Sequence, residues 1–344
     1  MKVILDGTQI FDEKGAGIKN YCLNIAQNLL KTSNMTDEIY IGVRPSRWDK
    51  IKNAEKYPLL YRRVKKILTF SIIGQPLGIL KEKFDIYHGL GGKIYRFLDN
   101  KKIKYVLTIH HLEKKDEIER AKVFAKFADI IITISSFSKR RIIEKLNIDE
   151  RKVKVIYNGV SEKFRPLPNR DEIKKNFSGK TEKIVLILIT GDTVENIENI
   201  EKAIDILKKR FKGVRFISAG IKDVRGCENL GYIDEDRMVE LYNLADVLLF
   251  PAVSGGFGLP IVESMACGCP VITSLGGAHE EIAGNSALLC NPYSPEDIAE
   301  KAEKILTSPE LQKKLSEEGL KRAKMFSWEK SAKEIYEIYK SLTE

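Results

Sequence analysis

Cysteine, histidine and tryptophan are all scarce in this 344-residue chain, at five, four and two residues. The cysteines, Cys22, Cys227, Cys267, Cys269 and Cys290, are scattered and odd in number, and the Cys-x-Cys of 267 and 269 has no matching pair elsewhere. A thiolate zinc site is thereby excluded, and reduced core thiols are expected. No apolar run reaches the roughly 18 residues needed to span a bilayer. The opening stretch MKVILDGTQIFDEKG meets Asp6 too early for a secretory apolar region, so no targeting signal is visible and a cytoplasmic protein is expected. Internal repeats and low-complexity runs are missing as well, which excludes a repeat architecture.

What is present is the composition of an ordinary soluble protein, 43% apolar and 31% charged, in a length that suits two domains. The net charge of +10 conceals an asymmetry. Up to Arg165 there are 34 lysines and arginines against 19 aspartates and glutamates, whereas the remainder carries 24 against 29. The basic half should be drawn to anionic surfaces.

Short β-branched runs alternate with helical stretches. KVILD (2–6) precedes a helical pattern over 17–31, and IYIGV (39–43), KFDIYH (83–88), KYVLTIH (104–110) and DIIITIS (129–135) are further strand candidates. The last leads into a Ser-capped helix, SFSKRRIIEKL, and then VKVIYNG (153–159). Residues 164–183 are polar, carry two prolines and read as a linker. A second alternation follows: KIVLILIT (183–190), a helix over 195–210, VRFISAG (214–220), a helix over 235–243, DVLLF (246–250), PVITS (270–274) and ALLCN (287–291), before charged amphipathic helices. This predicts an α/β fold of two doubly wound, Rossmann-like domains, each a parallel sheet covered on both faces. The expected divisions are 1–165, 166–328 and a last helix, 329–344, crossing back onto the first domain. In open sheets of this kind the ligand lies beyond the carboxyl ends of the strands, so the two domains should face across a cleft.

The stretch SGGFGLPIVESMACGCP (254–270) follows the strand VLLFP. Its glycines let the backbone approach a ligand closely, and Pro260 suits the first turn of a helix. Main-chain N–H groups of Gly256, Phe257, Gly258 and Leu259, with the helix dipole behind them, would make an anion site fit for a phosphate. Glu263, one turn deeper, is placed to accept hydrogen bonds from hydroxyls such as those of a ribose. A plain glycine-rich turn, with Glu263 complementing the dipole, accounts for the same residues.

PAVSGGFGLPIVESMACGCPVI closely resembles the signature of the family-four (group 1) nucleotide-sugar glycosyltransferases, which have the GT-B fold. LYNLADVLLFP, GGAHEEIAGNSALLCNPYSPEDIAEKAEKIL, FSWEKSA and ADIIITISSFSKRRIIEKLNIDERKVKVIYNGVSEKF are similar to further blocks of that family, so nearly the whole chain is covered, weakly only across 44–80. The resemblance implies a UDP- or GDP-linked sugar donor held mainly by the second domain; no cofactor is expected, and no metal either, since the spacing of His88, His110 and His111 fixes no coordination and thiolates are absent. The family's second motif Glu, which contacts the ribose, matches Glu263. The first, which contacts the transferred sugar, falls on Gly255. The family's phosphate-binding Arg and Lys fall on Asp192 and Glu195 in LITGDTVENIEN, so two cations are replaced by two carboxylates. Another basic residue supplying that charge, loss of the chemistry and a shifted alignment all remain open at this point.

In the first domain, FDEKGAGIKNY resembles the family's Gly-rich loop, which would bring Gly15 and Gly17 to the donor. A turn and helix start reads equally well. His110 in TIHHLEK matches the family's His that contacts the donor sugar, and His111 replaces an Asp. His88 reads as a hydrogen-bonded core residue. The Asp-x-Asp of DEDR (234–237) lies at a helix start, where acids are expected from the dipole alone, and is rejected as catalytic. The basic segment 44–80, with Trp48, Tyr57, Tyr61 and Phe70, suits adhesion to anionic lipid or a solvated helix covering the sheet. Nucleic acid is not expected as a partner, since no stacking motif or recognition helix accompanies the charge. The expectation is a retaining glycosyltransferase acting on a lipid-linked or glycan hydroxyl, peripheral at the inner membrane face; the alternative is an inactive GT-B subunit acting as a binding or scaffold partner.

Overall fold

Strands such as KVILD and KIVLILI carry apolar side chains at successive positions because both faces of each sheet are covered, so alternation with polar residues is not needed. The computed structural model describes residues 1–344 apart from 11–15, 34–35, 44–62, 67, 73–74, 80–81, 95, 98–101, 171, 175–182 and 192. The chain divides into two compact units, Met1–Gly159 with Trp328–Glu344, and Val160–Ser327.

The first unit runs β1 (Lys2–Asp6), α1 (Ala16–Thr32), β2 (Glu38–Val43), β3 (Val64–Lys66), β4 (Leu68–Ile72), β5 (Gln75–Ile79), β6 (Ile86–Gly89), β7 (Arg96–Phe97), β8 (Lys104–Thr108), α2 (Lys115–Ala125), β9 (Ile130–Thr133), α3 (Ser136–Leu146) and β10 (Val153–Val155). Seven strands pair in parallel in the order β10-β9-β8-β6-β1-β2-β3, with Val3 opposite both Ile39 and Ile86. The order reverses between β1 and β6. One side of the sheet packs Ile4, Tyr87, Leu107 and Ile131 against Ala121, Ala125 and Ile142 of the helices. The C-terminal helix, Trp328–Thr343, packs on α1 and buries Trp328, Ser331, Ala332, Ile335, Tyr336 and Tyr339, the stripe expected of a helix with one covered face.

Within 44–80, the described part is not the helix considered above. Residues 64–66, 68–72 and 75–79 are strands, and β4 and β5 form an antiparallel pair extended by β7. β-branched and aromatic residues (Val64, Thr69, Phe70, Ile72) favour strand over helix here, and a basic composition does not by itself set the backbone. Trp48 and Tyr57 lie outside the described residues, as does Tyr61.

The second unit runs β11 (Lys183–Ile189), a 3-10 turn (Val194–Asn196), α4 (Ile197–Arg210), β12 (Val214–Gly220), β13 (Glu228–Asn229), α5 (Glu235–Leu244), β14 (Val247–Phe250), α6 (Leu259–Ala266), β15 (Val271–Ser274), α7 (Gly277–Ala283), β16 (Leu288–Cys290), α8 (Pro295–Thr307) and α9 (Pro309–Ala323). Its six strands are parallel in the order β13-β12-β11-β14-β15-β16. This is a Rossmann order, and it reverses between β11 and β14. Val185, Ile187, Val247, Leu249 and Ile272 form the sheet side of the core, covered by Ile200, Ile204 and Leu207 of α4 and Ile298, Ala302 and Ile305 of α8. The five cysteines are free.

Candidate active site

Where strand order reverses, the loops after the two neighbouring strands part and leave room for a ligand. In the second unit those are the loops after β11 and β14. After β14 the chain runs through 251–258 and enters α6 at Leu259, with Pro260 in the first turn and Gly258 as the preceding cap. Gly258 has φ +88°, and a Cβ there would lie 2.6 Å from Cδ2 of His279. Both the left-handed backbone and the close approach of His279 demand glycine. In the first turn of α6 Pro260 carries no N–H and the Ile261 N–H donates to the Gly258 carbonyl at 3.0 Å, so Leu259 is the residue there whose N–H helical geometry leaves without a carbonyl partner. Phe257 contributes backbone to this approach, because its ring is buried and packs edge-on against Phe326, centroids 5.6 Å apart.

The loops around this mouth are tied to one another. The side-chain amide of Asn196 donates to the carbonyls of Pro251 and Pro292, each at 2.8 Å. Thr193 Oγ1 accepts from the Thr190 N–H at 2.9 Å and donates to the Leu188 carbonyl at 2.8 Å. Glu195, between them, is exposed on the 3-10 turn. Asp192 lies outside the described residues. Gly255 has φ +137°, a backbone that side-chain-bearing residues rarely adopt, so a glutamate would be strained in this conformation.

Glu263 sits one turn into α6 and is half-buried. Tyr242 of α5 donates from its hydroxyl to Glu263 Oε2 at 3.0 Å. Burial pushes the carboxyl up to about 7; the Tyr242 hydrogen bond opposes that shift, and the Glu235 carboxylate adds to it. Near neutral pH the group is therefore present in both its protonated and its ionised form, and only the ionised form accepts at both oxygens. Tyr242 was not singled out in the sequence. It stands 21 residues before Glu263, and the link between them is visible only once α5 and α6 lie side by side.

In the first unit, His110 follows β8 and is 7% exposed. Its Nε2 lies 2.9 Å from the Leu90 carbonyl, which can only accept, so the neutral ring carries its proton on Nε2 and leaves Nδ1 as an acceptor. Burial pulls its pKa down to about 4, keeping the ring neutral across the physiological range. Tyr21 of α1 packs edge-on against it, centroids 4.6 Å apart. His88 is fully buried and bonded on both nitrogens, to Tyr339 Oη at 2.5 Å and Thr108 Oγ1 at 2.8 Å, which makes it a core residue. His111 is partly exposed, with Nδ1 3.6 Å from Glu117 Oε2. Gly17 lies in the first turn of α1, exposed and with open space where a side chain would be. Gly15 lies outside the described residues. Asp234 caps α5 by accepting from the Arg237 N–H at 2.8 Å, the structural role foreseen for DEDR. Among the described residues no group of three or more metal-binding side chains occurs, and no helix is long and apolar enough to cross a membrane.

The family model described as glycosyl transferases group 1 matches residues 168–322, and that of glycosyltransferase family 4 matches residues 17–164. An uncharacterized glycosyltransferase of Methanocaldococcus jannaschii is 31% identical over 301 residues, covering 83% of each chain. The chain belongs to the group 1, family-four glycosyltransferases. The serotype-specific mannosyltransferase WbdA of Escherichia coli is 26% identical over 243 residues, covering 64% of this glycosyltransferase and 29% of WbdA. HepE of Anabaena, solved in complex with UDP and glucose, has a TM-score of 0.74 at 15% identity, covering 99% of this chain and 100% of that one. Sucrose-phosphate synthase of Thermosynechococcus elongatus has a TM-score of 0.72 at 17% identity, covering 100% and 99%. At such identities the likeness is one of fold, and the fold is GT-B.

Of the residues expected at the site of this glycosyltransferase, the structure gathers Gly256, Phe257, Gly258, Leu259 and Glu263 on one loop and helix of the second unit. In the first unit Gly17 stands in the first turn of α1, and His110 just past the carboxyl end of β8.

Proposed function

We propose that this glycosyltransferase moves a sugar, with retention of its anomeric configuration, from a UDP- or GDP-linked donor to a hydroxyl of a lipid-linked or glycan acceptor. The observation that carries the reading is the pairing, on one short helix, of an amide-lined start with the half-buried Glu263 one turn in. In this reading the amides of Gly256 to Leu259 take the diphosphate, and Glu263 takes the ribose hydroxyls. Gly17 is assigned to the close approach of the donor, and His110 accepts a hydroxyl of the transferred sugar at Nδ1. The bond from the anomeric carbon to the diphosphate breaks as the acceptor oxygen bonds to that carbon from the same face, and the acceptor's proton passes to the departing phosphate oxygen. The protein's part is positioning and charge stabilisation. HepE's complex with UDP and glucose supports a nucleotide-sugar donor, and the name of WbdA supports a hexose. The cationic excess up to Arg165, including 44–80, supports an acceptor met at an anionic surface.

Gly255 is the observation that favours a second reading, a subunit that binds a partner but does not turn over. One experiment separates them. Thermal shift against UDP-, GDP- and ADP-sugars, followed by measurement of released nucleotide and of the product's anomeric configuration, should show one nucleotide class stabilising the protein and a retained product. Indifference to every nucleotide at millimolar concentration contradicts the donor site, and an inverted product contradicts the retaining step.

A further inference from the structure

Arg322 stands in the last turn of α9, half-buried, and reaches toward the mouth by two routes. Its guanidinium donates from Nε to the Ile282 carbonyl at 3.0 Å and from Nη2 to the Glu281 carbonyl at 2.7 Å. These lie in the last turn of α7, where carbonyls have no helical partner and a cation suits the negative end of the dipole. At the start of α7, His279 fills the space that a side chain on Gly258 would occupy, and it packs edge-on against Phe250 with centroids 5.6 Å apart. That is one route, from Arg322 through α7 to Gly258. The other runs through an aromatic pair. The same guanidinium lies over the Phe326 ring at 5.3 Å, and Phe326 packs edge-on against Phe257 at 5.6 Å.

We infer that Arg322 is a positioning residue for the donor mouth, holding α7 and Phe326 so that the backbone at Phe257 and Gly258 keeps its course into α6. The functional consequence rests on the donor reading above; the structural consequence does not. A residue that merely capped α7 would affect the melting temperature alone. A residue that sets the course of the mouth also affects the aim of the α6 amides.

The test uses the full chain with Arg322→Gln, which removes the charge, and Arg322→Lys, which keeps it. Crystal structures of the free variants and calorimetric titration with UDP and GDP, well below each melting temperature, are the readouts. In Arg322→Gln the loop 254–258 and the start of α7 should move by about 1 Å, and the nucleotide Kd and donor KM should rise by about tenfold or more with a smaller change in kcat, since misplacement on that scale is enough for such losses. Arg322→Lys should restore most of the affinity. If Arg322→Gln does not fold, Phe326→Leu breaks the Phe257 route while leaving the α7 cap, and a shifted Phe257 backbone is then the expected result. A mouth that superposes on the wild type, with or without a lowered melting temperature, overturns the inference. If the wild-type protein binds neither nucleotide, the donor reading fails, and displacement of the mouth in the free crystal structures still decides the role of Arg322.

Discussion

Glu263 holds its proton well above the usual carboxylate range because burial disfavours its charge more than the Tyr242 hydroxyl favours it. The folded-state pKa, about 7, exceeds the unfolded one, so this group supports folding below the unfolded value and loses that support as pH rises toward 7. Glu263→Gln should therefore stabilise the free protein at pH 8 by about 1–3 kcal/mol relative to wild type, with the difference shrinking toward pH 5, as urea titrations at the two pH values will show. A carboxyl kept where it weakens the fold accords with the binding role proposed for Glu263. Tyr242→Phe removes the bond that favours the charged form, so Glu263 should titrate still higher. Any donor affinity that depends on the carboxylate should then set in at higher pH than in wild type, which a Kd-against-pH profile checks.

Elements are held by bonds that cross long stretches of sequence. Tyr339 of the C-terminal helix meets His88 at the end of β6, which meets Thr108 at the end of β8, which in turn lies 3.1 Å from Tyr21 Oη of α1. His88 is held neutral by burial, its pKa pulled down to about 3, so the chain of bonds persists across neutral pH. Tyr339→Phe should cost about 1–2 kcal/mol of stability in thermal or urea melts, leaving a buried His88 nitrogen without its partner. The long apolar strands and several of the helices were legible in the sequence, because runs such as KIVLILI and caps such as Ser135 and Asp234 are local signals, whereas the helices at 115–125 and 277–283 and the short edge strands were not. The α6 mouth was legible for the same reason, with its proline, its glycines and Glu263 inside ten residues. The β4–β5 pair, the Tyr242–Glu263 bond and the Arg322 clamp were not, because each depends on which segments the fold brings side by side. Gly255 was legible as a departure, but its φ of +137° is a property of the loop that letters do not carry.

At the scale of the whole molecule, each unit reverses its strand order beside its first strand, β1 against β6 and β11 against β14. The second unit is one continuous segment with its own core, whereas the first is completed by the C-terminal helix. A fragment spanning residues 160–327 should therefore fold alone with a cooperative melt and keep nucleotide affinity within about tenfold of the full chain. A fragment of 1–159 lacking the C-terminal helix should not fold stably, since it exposes the face of α1 that this helix covers. The most direct measurement is a crystal structure of the full chain soaked with UDP- and GDP-sugars. The expected result is diphosphate oxygens about 3 Å from the first amides of α6, with the ribose hydroxyls on Glu263. A nucleotide bound elsewhere, or a mouth that stays empty at millimolar ligand, would contradict the account.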